Sequence, residues 1–459
     1  MKRRDCLKAI GGGALAMAGM PAATAAMATT TATTTATTTA ADRYAKYKGT
    51  TIVVNWPAHP HYDAAAKLVP EFTRETGIKV EIDKMQYLRM HDKQLLEMSK
   101  AKGDYDVISY VVFWKAEYVK KGLLQPLEPF LAKAGLTDPG YDLADIVPAY
   151  LENVGMVGGK KGYLAGPGAK LYGIPFGAET SILAYRKDIF DKHGLKPPAT
   201  YDELAKLLPV LKAKEPGMGA LSSRGQSGSH VVHAWLLHLN PLGGKIFDDQ
   251  WRPVFQQEAG IKAAELLKQI SDTGPAGIPG YGFGEMSNAF LQGQAAMYLD
   301  TIAIFGQVED PAKSRIAGKV AYALHPKGKR ESSETGGFGM AIPRNAANSE
   351  AAFLFIEWMT NKVNDKKVTG LGGNATRMST LADAALVKRY PQFPVLREQL
   401  KYADADWRPI IPEWSEINEQ VLGVGLSEVL IGKKSAREAL SGMVPKVESI
   451  MRAGGYLKA

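Results

Sequence analysis

Cysteine is almost absent from this chain. Cys6 is the single one among 459 residues, and it lies in the basic stretch KRRDCLK, ahead of an apolar run. Beyond that stretch the chain holds no disulfide, no thiolate nucleophile and no cysteine-ligated metal. Long hydrophobic runs are missing too. The segment AIGGGALAMAGM has about a dozen apolar or small residues, too few to span a bilayer. Catalytic signatures are equally scarce: there is no G-x-S-x-G, no H-E-x-x-H, no phosphate-binding loop and no dinucleotide fingerprint. YGFGEM is a glycine-rich turn without a preceding strand and a following helix in the order that a nucleotide loop needs. In HVVHAWLLH, His230 and His233 share a helical face while His238 faces elsewhere, so the spacing does not assemble a zinc site. The formal charge is +9, of which Lys2, Arg3, Arg4 and Lys8 against Asp5 carry +3. The +6 that remains is spread thinly, and no cluster of bases interleaved with aromatics marks a nucleic-acid face. No cofactor and no metal are expected.

What is present is a globular composition, 45% hydrophobic and 22% charged, in a chain long enough for two lobes of about 150 to 200 residues. Residues 1–28 run from basic through apolar to small residues, with Ala-x-Ala at Ala23–Ala25 and Ala26–Ala28, the layout of an export signal peptide. The segment resembles a twin-arginine signal through Arg3, Arg4, Leu7 and Lys8, and departs from it at Lys2 and Cys6. Residues 29–43, with the repeat TTTATTTATTTAA, read as a disordered Thr/Ala linker. Folded sequence is expected from Tyr44.

From there the pattern alternates. TTIVVN is a strand of buried type, Ala64 to Glu75 an amphipathic helix, Lys79 to Asp83 a second strand, and YDVISYVVF a third with helices on either side. This is the signature of a wound α/β sheet. The pattern restarts at LYGIPFGAETSILAYRKDIF, and Thr200 with Glu203 forms a capping box for the next helix. In NAFLQGQAAMYLD a helix turns at Gly293 into an apolar strand that ends on Asp300. A carboxylate at a strand's carboxyl end is where open α/β sheets place ligand contacts.

The order TTIVVN, TGIKV, YDV, YGIPF, YRKDIF, TYDEL, NAFLQGQAAMYLD, GGFGMAIP, EAAFLFIEWM and IPEWSEI resembles the family 1 extracellular solute-binding proteins of ABC importers, in their sugar and polyol group. The resemblance implies a two-lobed α/β fold of the periplasmic binding protein type II class, with a ligand cleft between the lobes. The chain divides on this reading into residues 44–178 plus 333–378 for one lobe and 179–332 plus 379–459 for the other. It implies a monomer in the periplasm that captures a sugar or sugar alcohol and delivers it to membrane permease subunits by lobe closure.

Site residues follow from the same likeness. His59 stands on the first strand-to-helix loop. Tyr110 and Trp114, favoured over Phe113, are the aromatic platform after the third strand. Glu179 lies in the crossover between lobes, and Arg224 and His230 in and after a Gly/Ser loop. Gly337 and Phe338 form the return loop, and Arg377, in GGNATRMST, matches the family's arginine just beyond the second-lobe return. Asp300 would face the solute, since a carboxylate can accept hydrogen bonds from neighbouring hydroxyls. Trp407 and Trp414 are packing or a cleft lid. Other solutes remain open at this stage: a glycerol phosphate ester, a polyamine or an oligosaccharide. A carbohydrate-active enzyme would need two carboxylates about 5 to 10 Å apart, and Glu179 with Asp300 is the one pair to offer.

Overall fold

A computed structural model describes residues 40–458. The expected signal and most of the expected linker therefore lie outside the described residues. The linker ends earlier than expected, because Ala40–Ala45 is helical. There Arg43 donates to the Leu136 carbonyl at 3.0 Å and pairs with the buried Glu357. A side chain tied down in this way anchors its backbone to the folded body.

The core strands form two sheets. The first contains β1 (Thr51–Pro57), β2 (Lys79–Met85), β3 (Val107–Val111), β4 (Ile174–Glu179) and β9 (Gly336–Ala341), in the order β2-β1-β3-β9-β4. β1 is parallel to β2 and β3, whereas β9 runs antiparallel to both β3 and β4. The second contains β5 (Ser181–Arg186), β6 (Gly219–Ser222), β7 (Ala295–Thr301) and β8 (Val320–Ala323), in the order β8-β5-β7-β6. Here β6 and β7 are parallel, and β5 is antiparallel to β7 and β8. Helices cover both faces, which is why β3, β4 and β7 are buried along their whole length instead of alternating.

Each sheet is the centre of one lobe. Under the first, Trp56 packs against Tyr62 at 5.3 Å, Phe176 at 5.9 Å and Phe355 at 5.8 Å. In the second, the helix Phe283–Leu291 reverses at Gly293 (φ 75°) into β7, the left-handed turn that a glycine enters without steric cost. The capping box at Thr200 is formed as the spacing predicts.

The chain passes between the sheets at two adjacent places. Thr180 is the one residue between β4 and β5, and the segment 324–335 returns from β8 to β9. Thr180 Oγ1 donates to the Glu334 carbonyl at 2.8 Å and lies 2.9 Å from Ser333 Oγ. The crossings are thereby tied to each other, the arrangement of a hinge.

Candidate functional site

Both lobes contribute their strand ends and the loops that follow to a cleft of about 360 Å³, within the size range of small-molecule sites. From the first lobe come His59 after β1, Phe113 after β3, Glu179 at the end of β4, and Gly337 and Phe338 on β9. His59 caps the helix Pro60–Ala66, and its Nδ1 accepts from the His61 amide at 3.3 Å. That fixes the proton on Nε2, which donates to Glu179 Oε1 at 3.1 Å. Phe338 packs on His59 with centroids 5.2 Å apart.

From the second lobe come Arg224 after β6, His230 and His233 on the helix Ser229–Leu239, Phe283 at the start of its helix, and Arg408. Arg224 donates through Nε to Asp300 Oδ2 at 3.0 Å and through a second nitrogen to Oδ1, a bidentate pair. Its guanidinium also lies 5.1 Å from the Phe283 ring centre. Arg408 sits over Trp407 at 4.3 Å and 5.6 Å from Phe113. The lobes meet across the cleft. Tyr87 Oη is 3.4 Å from His230 Nε2, and the His59 ring stacks on Phe283 at 6.0 Å.

Burial shapes the electrostatics. It pushes His230 down to about 4 and His233 to about 3, with the positive charge of Arg224 adding to the effect. Both imidazoles are therefore neutral, each able to donate and to accept. Burial would raise Asp300, but Arg224 and then His233 outweigh it and hold the carboxyl below its ordinary range. Burial and then Asp300 push Glu334 well up. The cleft thus sets two arginines, Arg224 and Arg408, against the carboxylate of Asp300, with Glu179 and the exposed Glu285 also on its wall. Several buried polar atoms around it have no hydrogen-bond partner: His230 Nδ1, His233 Nε2, Arg408 Nε and both oxygens of Glu334.

Of the residues expected from the sequence, His59, Glu179, Arg224, His230, Gly337 and Phe338 line this cleft. Four do not. Asp300 is 1% exposed and stands behind Arg224. The strand does deliver it toward the cleft, but the arginine after β6 covers it. Tyr110 lies within a strand covered on both faces, and its hydroxyl donates to the Val154 carbonyl at 2.7 Å. Trp114 is buried against His91 at 5.1 Å. The turn Val112–Trp114 is a 3₁₀ helix, and Val111, Val112 and Phe113 line the cleft instead of Tyr110 and Trp114. Arg377 is 1% exposed and donates to the carbonyls of Thr360 (2.7 Å) and Asp142 (2.5 Å), a structural clasp within the first lobe. Trp407 and Trp414 are both buried, and Trp407 serves as the platform for Arg408.

Sequence reasoning missed Tyr87, His233, Phe283, Glu334 and Arg408. Faint signals existed: an aromatic between glycines at the helix start in YGFG, an acid two residues before the glycine pair in SSETGG, and a lone base in the otherwise apolar run WRPIIP.

Comparison with known proteins agrees with this geometry. The chain is 26% identical over 414 residues to a probable amino-acid ABC transporter periplasmic-binding protein of Sinorhizobium fredii, covering 86% of this chain and 88% of the relative. It is 28% identical over 382 residues to the mannitol-binding protein of Pseudomonas aeruginosa, covering 78% and 82%. Among solved structures, an ABC transporter solute-binding protein of Agrobacterium radiobacter K84 in complex with ribitol superposes with a TM-score of 0.80. The two share 28% identity over 88% of this chain and 99% of the other. The family model described as bacterial extracellular solute-binding protein matches residues 55–366, well over half of the chain. With its two lobes and the cleft between them, the protein belongs to the bacterial extracellular solute-binding protein family.

Proposed function

We propose that the protein is the solute-capturing component of an ABC importer and that its solute is a sugar alcohol or small sugar. The observation that carries this reading is the mixed wall of the cleft, in which neutral imidazoles and unpartnered polar atoms stand among the apolar faces of Phe113, Phe283 and Phe338. A polyol presents hydroxyls that donate and accept along a C–H backbone, and such a molecule matches both kinds of wall. A phosphate ester would draw on several cations, whereas Arg224 is committed to Asp300 and Arg408 is left as the one arginine on the cleft wall without a carboxylate partner among the described residues. A polyamine would need several free acids, and of those at the cleft Glu179 pairs with His59, Asp300 with Arg224, and Glu285 accepts from the Gly282 amide. The mannitol-binding relative and the ribitol complex support the same choice.

On this reading the role is binding without turnover. The solute bridges residues of both lobes and favours closure by the difference in its contacts with the two states. The lobes comprise residues 44–178 plus 333–378 and 179–332 plus 379–459. The protein acts as a monomer in the periplasm, is exported by the twin-arginine route, and hands its solute to the permease. Replacing Arg3 and Arg4 by lysine and following the protein by cell fractionation tests the route.

The solute is tested by thermal-shift and calorimetric titration with ribitol, D-mannitol, D-glucose, glycerol 3-phosphate and a set of L-amino acids. The last arm answers to the relative named for amino acids. A ligand that binds only the folded protein raises its Tm in proportion to the logarithm of concentration. The reading predicts saturable shifts with alditols. Shifts with amino acids or the phosphate ester alone would overturn it.

A further inference from the structure

Glu334 stands apart from every other buried acid. Asp300 has Arg224, Glu179 has His59, Glu357 has Arg43, and Asp365 accepts the Thr376 amide at 3.2 Å. Among the described residues, Glu334 alone has both carboxyl oxygens buried without a hydrogen-bond partner. It lies on the return crossing of the hinge, its own carbonyl accepting from Thr180 of the other crossing. His233 Nε2 is 3.1 Å from its Oε2 but is not aligned as a hydrogen bond. The other groups with electrostatic influence on it are Asp300 and Tyr298 on β7, Arg224 after β6, Glu179 on β4, Tyr150, and Arg408. Arg408 in turn has an unpartnered Nε and lines the cleft.

An ionised carboxylate in this place would be a buried charge without a donor, which proteins avoid. It would also draw the guanidinium of Arg408 toward the hinge and away from the solute. A neutral carboxyl leaves Arg408 on the cleft wall. We propose that Glu334 is a positioning residue that takes up one proton from solvent as the lobes close, so that solute affinity is linked to pH through the hinge. Opening admits water to the cleft floor, where the carboxyl returns toward its ordinary ionised form. Burial favours the neutral acid in this structure, in which the lobes touch across the cleft, and that agrees with the proposal.

The sign follows from the linkage. The closed state binds the extra proton, so affinity is greatest at low pH and is lost as pH rises between the open-state and closed-state pKa values of this group. His230 and His233 are neutral when buried and exchange protons mainly below about pH 6.5. They are common to wild type and variant, and measurement near pH 7.5 sets them aside.

The proposal rests on the solute-capture reading, and its test separates the two. Titration calorimetry with ribitol and D-mannitol near pH 7.5, in buffers of different ionisation heat, counts protons taken up by the wild type and by Glu334→Gln. The wild type is expected to take up more, by as much as one per bound polyol, and its Kd is expected to rise by up to about tenfold per pH unit relative to the variant. Equal proton counts with parallel pH profiles would overturn the proposal. Should Glu334→Gln not fold, the infrared difference spectrum of the wild type with and without polyol decides: a protonated-carboxyl band gained on binding supports the proposal, and no gain refutes it. If neither polyol binds, the function reading fails, and the proton count is taken with whichever solute of the titration panel does bind: a larger uptake by the wild type than by Glu334→Gln supports the proposal, and equal counts refute it.

Discussion

Removing Asp300 should damage the fold before it damages the site. Asp300→Ala leaves Arg224 buried, and the guanidinium loses both of its bonds to that carboxylate. Breaking a buried pair on one side costs about 3 to 5 kcal/mol, because the remaining charge is uncompensated. For a lobe of this size that corresponds to a fall in Tm of about 6 to 20 °C. Replacing both members by apolar residues of similar volume, Arg224→Met with Asp300→Leu, should recover most of that stability, since no buried charge remains. The double variant should still bind polyol more weakly, by about 10- to 150-fold, because the Arg224 donors on the cleft wall are gone. Urea unfolding followed by tryptophan emission, paired with titration calorimetry, reads the two effects separately. If Asp300→Ala unfolds within about 1 kcal/mol of wild type, the pair does not hold Arg224 as described, and the account of the second-lobe wall is wrong.

Other consequences can be measured alongside. Glu179→Gln and His59→Ala should each weaken polyol binding by about 1 to 3 kcal/mol, and wild-type affinity in both would remove the first lobe's polar wall from the contact. Tyr110→Phe should lower stability by about 1 kcal/mol, and Arg377→Met by several kcal/mol, while both leave Kd unchanged; a loss of affinity in either folded variant would return that residue to the site. Gly337→Ala should destabilise by about 1 to 3 kcal/mol, since φ is 82° and an added Cβ would lie 2.3 Å from the Gly177 carbonyl; an unchanged Tm would contradict that geometry. Burial holds His61, His233 and His238 down at about 3 and His230 and His325 at about 4. Their contribution to stability is complete above the unfolded value of about 6.5 and is lost as pH falls through it, by up to about 1.4 kcal/mol per pH unit for each histidine. Calorimetric melting should therefore show a falling Tm from pH 7 to pH 5, and a flat profile would mean these rings are solvated.

The architecture was readable because it is written in local patterns. Continuous apolar runs gave β1, β3 and β7, Gly293 marked the turn into β7, and Thr200 with Glu203 marked a helix start. The site was readable only where a loop immediately follows a strand, as at His59, Glu179 and Arg224. Beyond that, tertiary geometry decides. Nothing local to Asp300 says that Arg224, far away in sequence, covers it. Phe113 lines the cleft where Tyr110 and Trp114 do not, because the strand meets the cleft with the face opposite Tyr110 and then passes into a 3₁₀ turn. Arg377 has the donor fork of a ligand-binding arginine, yet its partners are carbonyls of its own lobe. Glu334 and Arg408 become notable only when chain segments distant in sequence meet at the hinge.

The place of β9 bears on how the molecule is made. This strand sits between β3 and β4 in the first sheet, yet every strand of the second sheet is synthesised before it. A nascent chain that has not reached Gly336 therefore has an open slot in its first sheet, with the facing edges of β3 and β4 unpaired. Such edges are templates for pairing with other chains. Shielding them until the ribosome has released the missing strand is a demand this topology places on the cell.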